Sequence, residues 1–399
     1  MIVDRLPGLV SRELAAIGCA TSVETGLKDA ALGARLAALG VEVLVVRSTT
    51  VGAEEISAAK NLALLVRAGA GVNTIDVAAA SARGVFVANC PGKNACAVAE
   101  LTIGHLINLD RRITDNVVAL RERRWDKERM AKDARGLFGR TLAVLGCGSI
   151  GREVVSRAKA LGMEVVVCSR SLSETEAETL GVRRATTAEE AVRQADAITV
   201  HLALTDETRG RFGKGFFDAV RQGAYFVNTS RAEVVDQTAL RAAIDNKNLR
   251  VALDVFDGEP PGKQGPFTDS IVDHPSVYGT HHVGASTEQA EEAVGAEVVR
   301  IVSAFAAGRT IPNCVNLAAV TPATHVLVVR HADRVGVLAH VLDALRQAGH
   351  NVQTMENIVF EGAHAACARI AIDGRPSDTT LAAVQAHEAV FSVTASLTG

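Results

Sequence analysis

Residues Leu142–Gly151 read LAVLGCGSIG and carry the spacing G-x-G-x-x-G at Gly146, Gly148 and Gly151. An apolar, strand-like run precedes the first glycine, and a helical pattern follows the last. In such a unit the first glycine makes a tight turn, the second lets a pyrophosphate approach the backbone, and the third lets the helix pack closely on the sheet. Amide groups at the helix start then point towards the phosphates. The stretch therefore predicts a dinucleotide-binding turn.

Two series of apolar runs, each alternating with helical segments, surround this turn. The series that contains it predicts strands at Thr141–Gly146, Glu164–Cys168, Ala197–His201, Ala224–Asn228 and Val251–Val255. The earlier series predicts strands at Val41–Val46, Leu62–Val66 and Val85–Ala88, and the opening MIVDRL suggests a further short strand. Such alternation indicates parallel sheets covered by helices on both faces.

Two long apolar-periodic segments, Ala97–Leu120 and Ser286–Gly308, predict one helix each. A proline-containing linker at Ile311–Ala323 follows, and the remaining residues show a βαββαβ pattern typical of a ferredoxin-like unit. The fold class predicted is therefore α/β, with two Rossmann-like doubly wound parallel-sheet domains and a C-terminal ferredoxin-like domain.

Composition narrows the classes of partner and compartment. The 399 residues include 42 basic and 45 acidic side chains, a net charge of −3, so we expect no nucleic-acid or membrane partner. Seven cysteines occur without a C-x-x-C pair, which argues against a disulfide framework or a metal site and favours a reducing compartment. The start of the sequence lacks a signal-peptide pattern, and we expect a cytoplasmic protein.

The residues that follow the second strand of the glycine-turn unit bear on the choice of cofactor. A carboxylate about 20 residues after the glycines normally binds the ribose hydroxyls of NAD. Here Ser169 and Arg170 occupy that place. We therefore expect an NAD(P) site that favours NADP, with Ser169 leaving room for a 2′-phosphate and Arg170 pairing with it. The alternative is that Arg170 is simply a solvated side chain.

Three later segments, NTSRAEVVD (228–236), LDVFDGEPP (253–261) and THHVGAST (280–287), each follow a strand or open a helix. Hydride transfer to a 2-keto acid needs a cation for the carboxylate, and Arg231 suits it because guanidinium binds carboxylates in bidentate fashion. His282 suits the general acid, and Glu259 beside it would favour the imidazolium. Taken singly, each has an ordinary reading as a surface ion pair, a solvated histidine or a turn residue; their order behind the glycine turn favours catalysis.

At this point the sequence resembles the D-isomer-specific 2-hydroxyacid dehydrogenases, and within them the D-3-phosphoglycerate dehydrogenases. The matching segments are VRAGAGVNTIDVAAASARGV (66–85), LGCGSIG (145–151), HLALTDETRG (201–210) and the three segments above. The resemblance implies Arg231, Glu259 and His282 as the catalytic set, and Asp254 beside the nicotinamide. It also implies a substrate domain at 1–96 and 284–316, an NAD(P)-binding domain at 97–283 and a third domain at 322–399.

Further binding residues follow from the same resemblance. The backbone amides of Ala70 and Gly71 would bind the substrate carboxylate, and Arg47 in VRSTTV (46–51) would bind a substrate phosphate, with Lys93 a weaker candidate and a solvated arginine the alternative. The cofactor set comprises Gly146, Gly148, Ser149, Ile150, Gly151, Ser169, Arg170, Leu202, Thr229, Asp254 and Gly284. The sequence departs from the family pattern at Ala232, where glycine is usual, at His281, where proline is frequent, and at Ser169.

The C-terminal segment resembles an ACT domain, a common amino-acid sensor. Its turn RHADRVGVL (330–338) matches the pattern of such domains except that Val335 replaces a proline. The resemblance implies a serine effector held by His331, Asp333 and Asn351 between paired domains. The alternative is an ACT domain that only dimerises.

The resemblance implies reversible NAD(P)-dependent oxidation of 3-phospho-D-glycerate to 3-phosphohydroxypyruvate, the entry to serine synthesis, by a homodimer or homotetramer. The enzyme alternative is a glyoxylate or hydroxypyruvate reductase, which the residues at 169 and 170 would suit. The alternative from another class is a dinucleotide-sensing binding protein without turnover, against which the Arg, Glu and His set argues.

Overall fold

The computed structural model describes residues 1–260 and 264–398. It divides into two units, Met1–Asn316 and Leu317–Gly399. All of the predicted catalytic and cofactor-binding residues belong to the first unit, and the predicted effector residues belong to the second.

The first unit opens with a sheet of three parallel strands in the order β1-β2-β3. Its elements are α1 (Gly8–Ala16), α2 (Asp29–Leu39), β1 (Val43–Val46), α3 (Ala53–Ala58), β2 (Leu64–Arg67), α4 (Val77–Ala82) and β3 (Phe86–Asn89). The strand predicted at the opening MIVDRL is wrong, because Ile2 forms only isolated bridges with Val23 and Val45. Pro7 caps α1 directly afterwards, and proline lacks the amide that a continuing strand would need.

Three helices then follow, α5 (Ala95–Arg111), α6 (Ile113–Arg121) and α7 (Lys127–Ala131). The single helix predicted over 97–120 is therefore wrong. Arg112 adopts a left-handed conformation with φ 50°, and the side chain of Asn108 accepts a 2.9 Å hydrogen bond from the amide of Thr114. Asparagine can compete in this way with the backbone pairing of a helix, so the two helices meet at a bend.

The second sheet has seven parallel strands in the order β10-β9-β8-β7-β4-β5-β6. Its elements are β4 (Thr141–Leu145), α8 (Ser149–Ala160), β5 (Glu164–Cys168), α9 (Glu174–Leu180), β6 (Arg183–Ala185), α10 (Ala188–Val192), β7 (Ala197–Val200), α11 (Lys214–Ala219), β8 (Tyr225–Asn228), α12 (Gln237–Lys247), β9 (Arg250–Leu253) and β10 (Val277–Gly279), with short 3-10 helices at Ala232–Val234 and Ser270–Asp273. The chain order reverses between β4 and β7. In such sheets ligands bind beyond the carboxyl ends of the strands at this point.

Helix α13 (Glu288–Ala306) returns the chain to the first sheet. Its buried face contributes Val294, Val298 and Ile301 to a hydrophobic cluster shared with Val10 of α1 and Leu64 of β2. The core around the first sheet is therefore built from both ends of the first unit.

The second unit is a βαββαβ arrangement, and this confirms the predicted ferredoxin-like fold. It consists of β11 (His325–Ala332), α14 (Val337–Gln347), β12 (Val352–Val359), β13 (Ala365–Ile372), α15 (Asp378–Gln385) and β14 (Val390–Leu397). The four strands are antiparallel in the order β12-β13-β11-β14. Its core draws on its own strands and helices, including Leu327, Val341 and Ile370.

Two kinds of feature are not found among the described residues. No helix in 1–260 or 264–398 combines the length and apolar character needed to span a bilayer. Within the same residues, no group of three or more His, Cys, Asp or Glu side chains is arranged to hold a metal ion.

Candidate active site

The carboxyl edge of the seven-stranded sheet gathers the predicted cofactor-binding residues. They follow β4 (Gly146, Gly148, Ser149, Ile150, Gly151), β5 (Ser169, Arg170), β7 (Leu202), β8 (Thr229), β9 (Asp254) and β10 (Gly284). These six strands are neighbours in the sheet, so residues far apart in sequence come to one edge.

The glycine turn has the geometry that a bound pyrophosphate requires. Gly146 has φ 100°, and a side chain there would place its Cβ 2.5 Å from the carbonyl oxygen of His201. A Cβ at Gly151 would lie 2.1 Å from the carbonyl oxygen of Gly146, so only glycine allows α8 to start this close to β4. A Cβ at Gly148 would meet nothing within 4 Å. The open space at Gly148, beside the start of α8, fits the phosphates of a dinucleotide.

The ribose end of this site is exposed. The hydroxyl groups of Ser169 and Ser171 lie 3.2 Å apart. The guanidinium of Arg170 forms an ion pair with Glu207 at 2.5 Å, with 83% of the arginine side chain exposed. Arg170 therefore already has a carboxylate partner, which a 2′-phosphate would have to replace.

His282 and Glu259 form the central pair of the candidate site. Nδ1 of His282 lies 2.7 Å from Oε2 of Glu259, and the amide of Phe256 donates to Oε1 of Glu259 at 2.9 Å. The hydrogen bond that His282 donates to Glu259 raises the pKa of His282 above its usual value. Burial opposes ionisation of Glu259, but its bonds to His282 and Phe256 outweigh burial and lower the pKa of the carboxyl. The pair thus favours an imidazolium beside a carboxylate.

The backbone around His282 is held by Asp254. His282 itself has φ 51°, a strained conformation for a non-glycine residue. The buried carboxylate of Asp254 accepts hydrogen bonds from the amides of Val283 and Gly284, both at 2.9 Å, and from the hydroxyl of Thr280 at 2.6 Å. Asp254 thus fixes the loop on both sides of His282.

Helix α5 contacts both candidate catalytic loops, through two residues that the sequence analysis did not single out. The buried His105 has its Nε2 3.2 Å from Oγ1 of Thr280, and burial lowers the pKa of His105. One turn earlier, the hydroxyl of Thr102 lies 3.0 Å from that of Thr229, in the loop that leads to Arg231. The signal in the sequence was present, because both are polar residues on the apolar, buried face of a helix.

Arg231 lies beside the loop predicted to bind the substrate carboxylate. The side chain of Asn228 stabilises the turn that contains Arg231. Its Nδ2 donates to the carbonyl of Arg231 at 2.9 Å, and its Oδ1 accepts from the amide of Ser230 at 2.9 Å. A Cβ placed on Gly71 would be 3.1 Å from Nη2 of Arg231. Among the described residues, the amides of Ala70 and Gly71 donate to no protein acceptor. At this point the guanidinium of Arg231 therefore lies beside a loop that offers two available amides, those of Ala70 and Gly71.

A cavity of about 100 Å³ adjoins this point and is lined in part by Arg47, Arg67 and Asn94. Arg67 ends β2 and was not predicted. Its Nε is buried without a hydrogen-bond partner in the described structure. The pKa of Arg67 is lowered, mainly by burial and also by the positive charges of the nearby Arg231 and Arg47. The sequence could have pointed to Arg67, because it is a charged residue at the end of an otherwise apolar strand. Lys93 instead pairs with Glu297 at 3.2 Å.

The predicted effector residues lie in the second unit. His331 is buried, with Nδ1 donating to the carbonyl of Ala332 at 2.8 Å and Nε2 3.1 Å from Oδ1 of Asn357. The amide of Asp333 donates to the carbonyl of His364 at 3.2 Å, and that of Asn351 donates to Asp373 at 2.6 Å. The ring of His331 therefore bonds within its own domain.

Comparison with known proteins gives the family to which this chain is similar. Residues 103–284 match the family model described as D-isomer specific 2-hydroxyacid dehydrogenase, NAD binding domain. The D-3-phosphoglycerate dehydrogenase of Bacillus subtilis (strain 168) is 38% identical over 282 residues, which cover 70% of this chain and 52% of the relative. This chain thus spans about half the length of the phosphoglycerate dehydrogenases it matches.

Two other similar proteins are covered over most of their length. The hydroxypyruvate reductase of Thermotoga maritima is 37% identical over 261 residues, 65% of this chain and 83% of the relative. The crystal structure of the TT0316 protein from Thermus thermophilus has a TM-score of 0.69 and 30% identity, covering 79% of this chain and 98% of that one. Since the reductase is 37% identical and covered over 83% of its length, and the family model matches across the glycine turn, the chain belongs to the D-isomer-specific 2-hydroxyacid dehydrogenase family.

Proposed function

We propose that this protein catalyses the reversible NAD(P)-dependent oxidation of 3-phospho-D-glycerate to 3-phosphohydroxypyruvate. The observation that carries the proposal is the closeness of two pairs, His282 with Glu259 and Arg231 with Gly71, since Arg231 is near enough that its charge tends to lower the pKa of both His282 and Glu259. The names of the relatives support a 2-hydroxy acid substrate, since they include D-3-phosphoglycerate dehydrogenase and hydroxypyruvate reductase.

Arg231 binds the substrate carboxylate in the proposed mechanism, and we call Arg231 with the amides of Ala70 and Gly71 the carboxylate clamp. Its planar guanidinium suits bidentate binding, and the amides of Ala70 and Gly71 add donors on the side of the first sheet. The same positive charge polarises the neighbouring carbonyl in the reductive direction. This grip orients the 2-carbon towards His282 and towards the dinucleotide site.

His282 has the part of the acid and base. Because its Nδ1 is bound to Glu259, Nε2 is the nitrogen available to a substrate oxygen. In oxidation the neutral ring takes the hydroxyl proton, and the imidazolium formed is stabilised by the Glu259 carboxylate. In reduction the imidazolium returns that proton to the oxygen. Nicotinamide, when bound, supplies the hydride acceptor or donor.

Arg47 and Arg67 are proposed to bind the phosphate on the distal carbon of the substrate. Both line the small cavity next to the carboxylate clamp. Arg67 is half-buried and its buried Nε has no hydrogen-bond partner in the described structure, and charged donors of this kind bind phosphate oxygens strongly. The cavity is thus the feature that favours a phosphorylated substrate.

A second candidate function is reduction of unphosphorylated hydroxypyruvate or glyoxylate. One observation favours it: Glu291 lines the same cavity and pairs with Arg47 at 2.8 Å. For the cofactor we propose that NADP is accepted at least as well as NAD, because Ser169 lacks the carboxylate that would repel a 2′-phosphate. The ion pair between Arg170 and Glu207 reduces the contribution of Arg170 to this preference.

The second unit is proposed to act as an ACT domain that pairs with a second copy and responds to serine. The support is its ferredoxin-like fold together with the turn sequence at 330–338. Since His331 bonds internally, Asp333 and Asn351 are the more accessible of the three candidate effector ligands.

A kinetic panel tests the proposed function. Purified protein is assayed with 3-phosphohydroxypyruvate, hydroxypyruvate, glyoxylate and 2-oxoglutarate, each with NADH and NADPH. The highest kcat/KM is expected for 3-phosphohydroxypyruvate. A preference for hydroxypyruvate or glyoxylate would establish the second candidate. No turnover of any substrate would indicate a dinucleotide-sensing binding protein.

A further inference from the structure

We propose that Glu291 sets the discrimination between a phosphate and a hydroxyl group on the distal carbon of the substrate, by engaging Arg47 inside the cavity. This inference rests on the proposed function and assigns a specificity role to a residue of α13. Glu291 opposes the phosphorylated substrate and supports the unphosphorylated one.

The first step is the contact itself. Nη1 of Arg47 donates to Oε1 of Glu291 at 2.8 Å. The other acid near Arg47 is Asp4, but Asp4 accepts from the backbone amides of Arg47, Ser48 and Thr49 at 2.6, 3.0 and 3.0 Å. Asp4 therefore fixes the main chain of this loop, while Glu291 is the carboxylate that binds the guanidinium of Arg47.

The second step is the charge inside the cavity. Arg47, Arg67 and Glu291 line it together, so two cations face one anion. The side chains of Arg47 and Glu291 are 31% and 40% exposed, so their attraction is moderate and a ligand can compete for it. With Arg47 engaged, Arg67 is the cation among the described lining residues of the cavity that has no anionic partner.

The third step is what each ligand would meet. A phosphate must take Arg47 from Glu291 and then remain close to that carboxylate, and like charges at short distance repel. A hydroxyl group can instead donate a hydrogen bond to Glu291 while the ion pair stays intact. The same carboxylate therefore weakens one substrate and favours the other.

The test compares Glu291→Gln with Glu292→Gln. The control removes the same charge from the next position of α13, where the side chain is exposed and does not line the cavity. The readout is the ratio of kcat/KM for 3-phosphohydroxypyruvate to that for hydroxypyruvate. Glu291→Gln is expected to raise this ratio about fivefold or more, since an exposed ion pair is worth up to about 1 kcal/mol and the lost repulsion adds to it. Glu292→Gln is expected to leave the ratio unchanged.

The outcomes separate this inference from the proposed function. An unchanged or lowered ratio in Glu291→Gln, with active wild-type protein, overturns the inference alone. If the wild-type protein turns over neither substrate, the proposed function fails, and the inference is tested by calorimetric titration with inorganic phosphate. Tighter phosphate binding by Glu291→Gln than by wild type and Glu292→Gln would support the role of Glu291 in excluding anions, and equal binding would overturn it. The expected effects are a raised ratio and tighter phosphate binding. A loss of folded protein lowers kcat/KM for both substrates by the same factor, so it cannot produce either effect.

Discussion

The single residue with the clearest electrostatic consequence is Glu259. In the proposed mechanism oxidation needs a neutral His282, so kcat/KM for 3-phospho-D-glycerate should rise as pH increases through the pKa of this histidine. Glu259 raises that pKa, and removing its charge must therefore lower it. In Glu259→Gln the acidic limb of the pH profile is expected to move to lower pH, while the maximal rate falls because the imidazolium loses its partner.

The control for this prediction is a histidine–carboxylate pair of a different part of the protein. His274 lies 3.4 Å from Asp245, and neither belongs to the candidate site. Asp245→Asn should leave the profile unchanged. A limb that stays in place, or moves to higher pH, in Glu259→Gln would contradict the role given to the pair.

Arg231 offers a test of geometry at constant charge. Arg231→Lys keeps one positive charge but loses the planar fork that matches a carboxylate. A hydrogen bond to a charged group is worth about 1.5–3 kcal/mol, so kcat/KM is expected to fall roughly tenfold to a hundredfold. Steady-state kinetics with the 2-keto acid measure the loss, and cofactor affinity, measured by fluorescence titration, should be unaffected. Near wild-type kinetics in Arg231→Lys would show that Arg231 does not bind the substrate carboxylate.

A site residue could be predicted from the sequence where its chemical type and its position after a strand both pointed to a function. Arg231, Glu259 and His282 combine a reactive type with a place after a predicted strand, and the structure brings Glu259 and His282 into contact. Glu291 has no such signal. It lies in the first turn of a long helix among other acidic residues, and only the three-dimensional meeting of α13 with the end of β1 distinguishes it from its neighbours.

At the scale of elements, α5 links the two catalytic loops through Thr102 and His105. The Thr280 hydroxyl donates its proton to Asp254, so His105 must donate from Nε2 to Thr280. His105→Leu removes this donor from a buried site, which typically costs about 1–3 kcal/mol. We expect kcat to fall roughly tenfold, since the loop that carries His282 loses part of its support.

A conservative replacement separates positioning from packing. His105→Gln keeps an N–H donor of similar reach and is expected to recover a large part of kcat. Thr102→Val, which removes the contact with Thr229 on the other loop, should act mainly on KM for the 2-keto acid because that loop carries Arg231. Equal losses in the leucine and glutamine variants would show that His105 serves only to fill space.

The pattern of apolar residues predicted the central strands but not every boundary of the helices and strands. The central strands of both sheets and the glycine turn were predicted because buried parallel strands give continuous apolar runs. The edge strands β6 and β10 have three residues each and were missed, since so short a run carries no pattern. The bend between α5 and α6 was missed for another reason. The apolar pattern continues across it, and the break depends on the left-handed Arg112.

For the whole molecule, the arrangement of cores predicts independent folding of its two units. The hydrophobic cluster of the second unit is drawn from residues such as Leu327, Val341 and Ile370, and the clusters of the first unit lie within Met1–Asn316. The sequence had already suggested this separation through its proline-containing linker. It could not supply the register of the four strands, with its irregularity at Arg330 and His331, because register depends on pairing between residues distant in sequence.

Removing Leu317–Gly399 is therefore expected to leave a folded, active dehydrogenase. Arg231, Glu259 and His282, together with the glycine turn, all belong to the unit that is retained, so kcat with 3-phosphohydroxypyruvate should stay within a few-fold of the intact protein. Circular dichroism and thermal unfolding test the fold, and turnover tests the site. The same assays with serine test the proposed effector role, because inhibition of the intact protein should be absent from the truncated one. A truncated protein that is unfolded would show that the second unit completes the core of the first, and equal inhibition of both forms by serine would place the effector site outside the second unit.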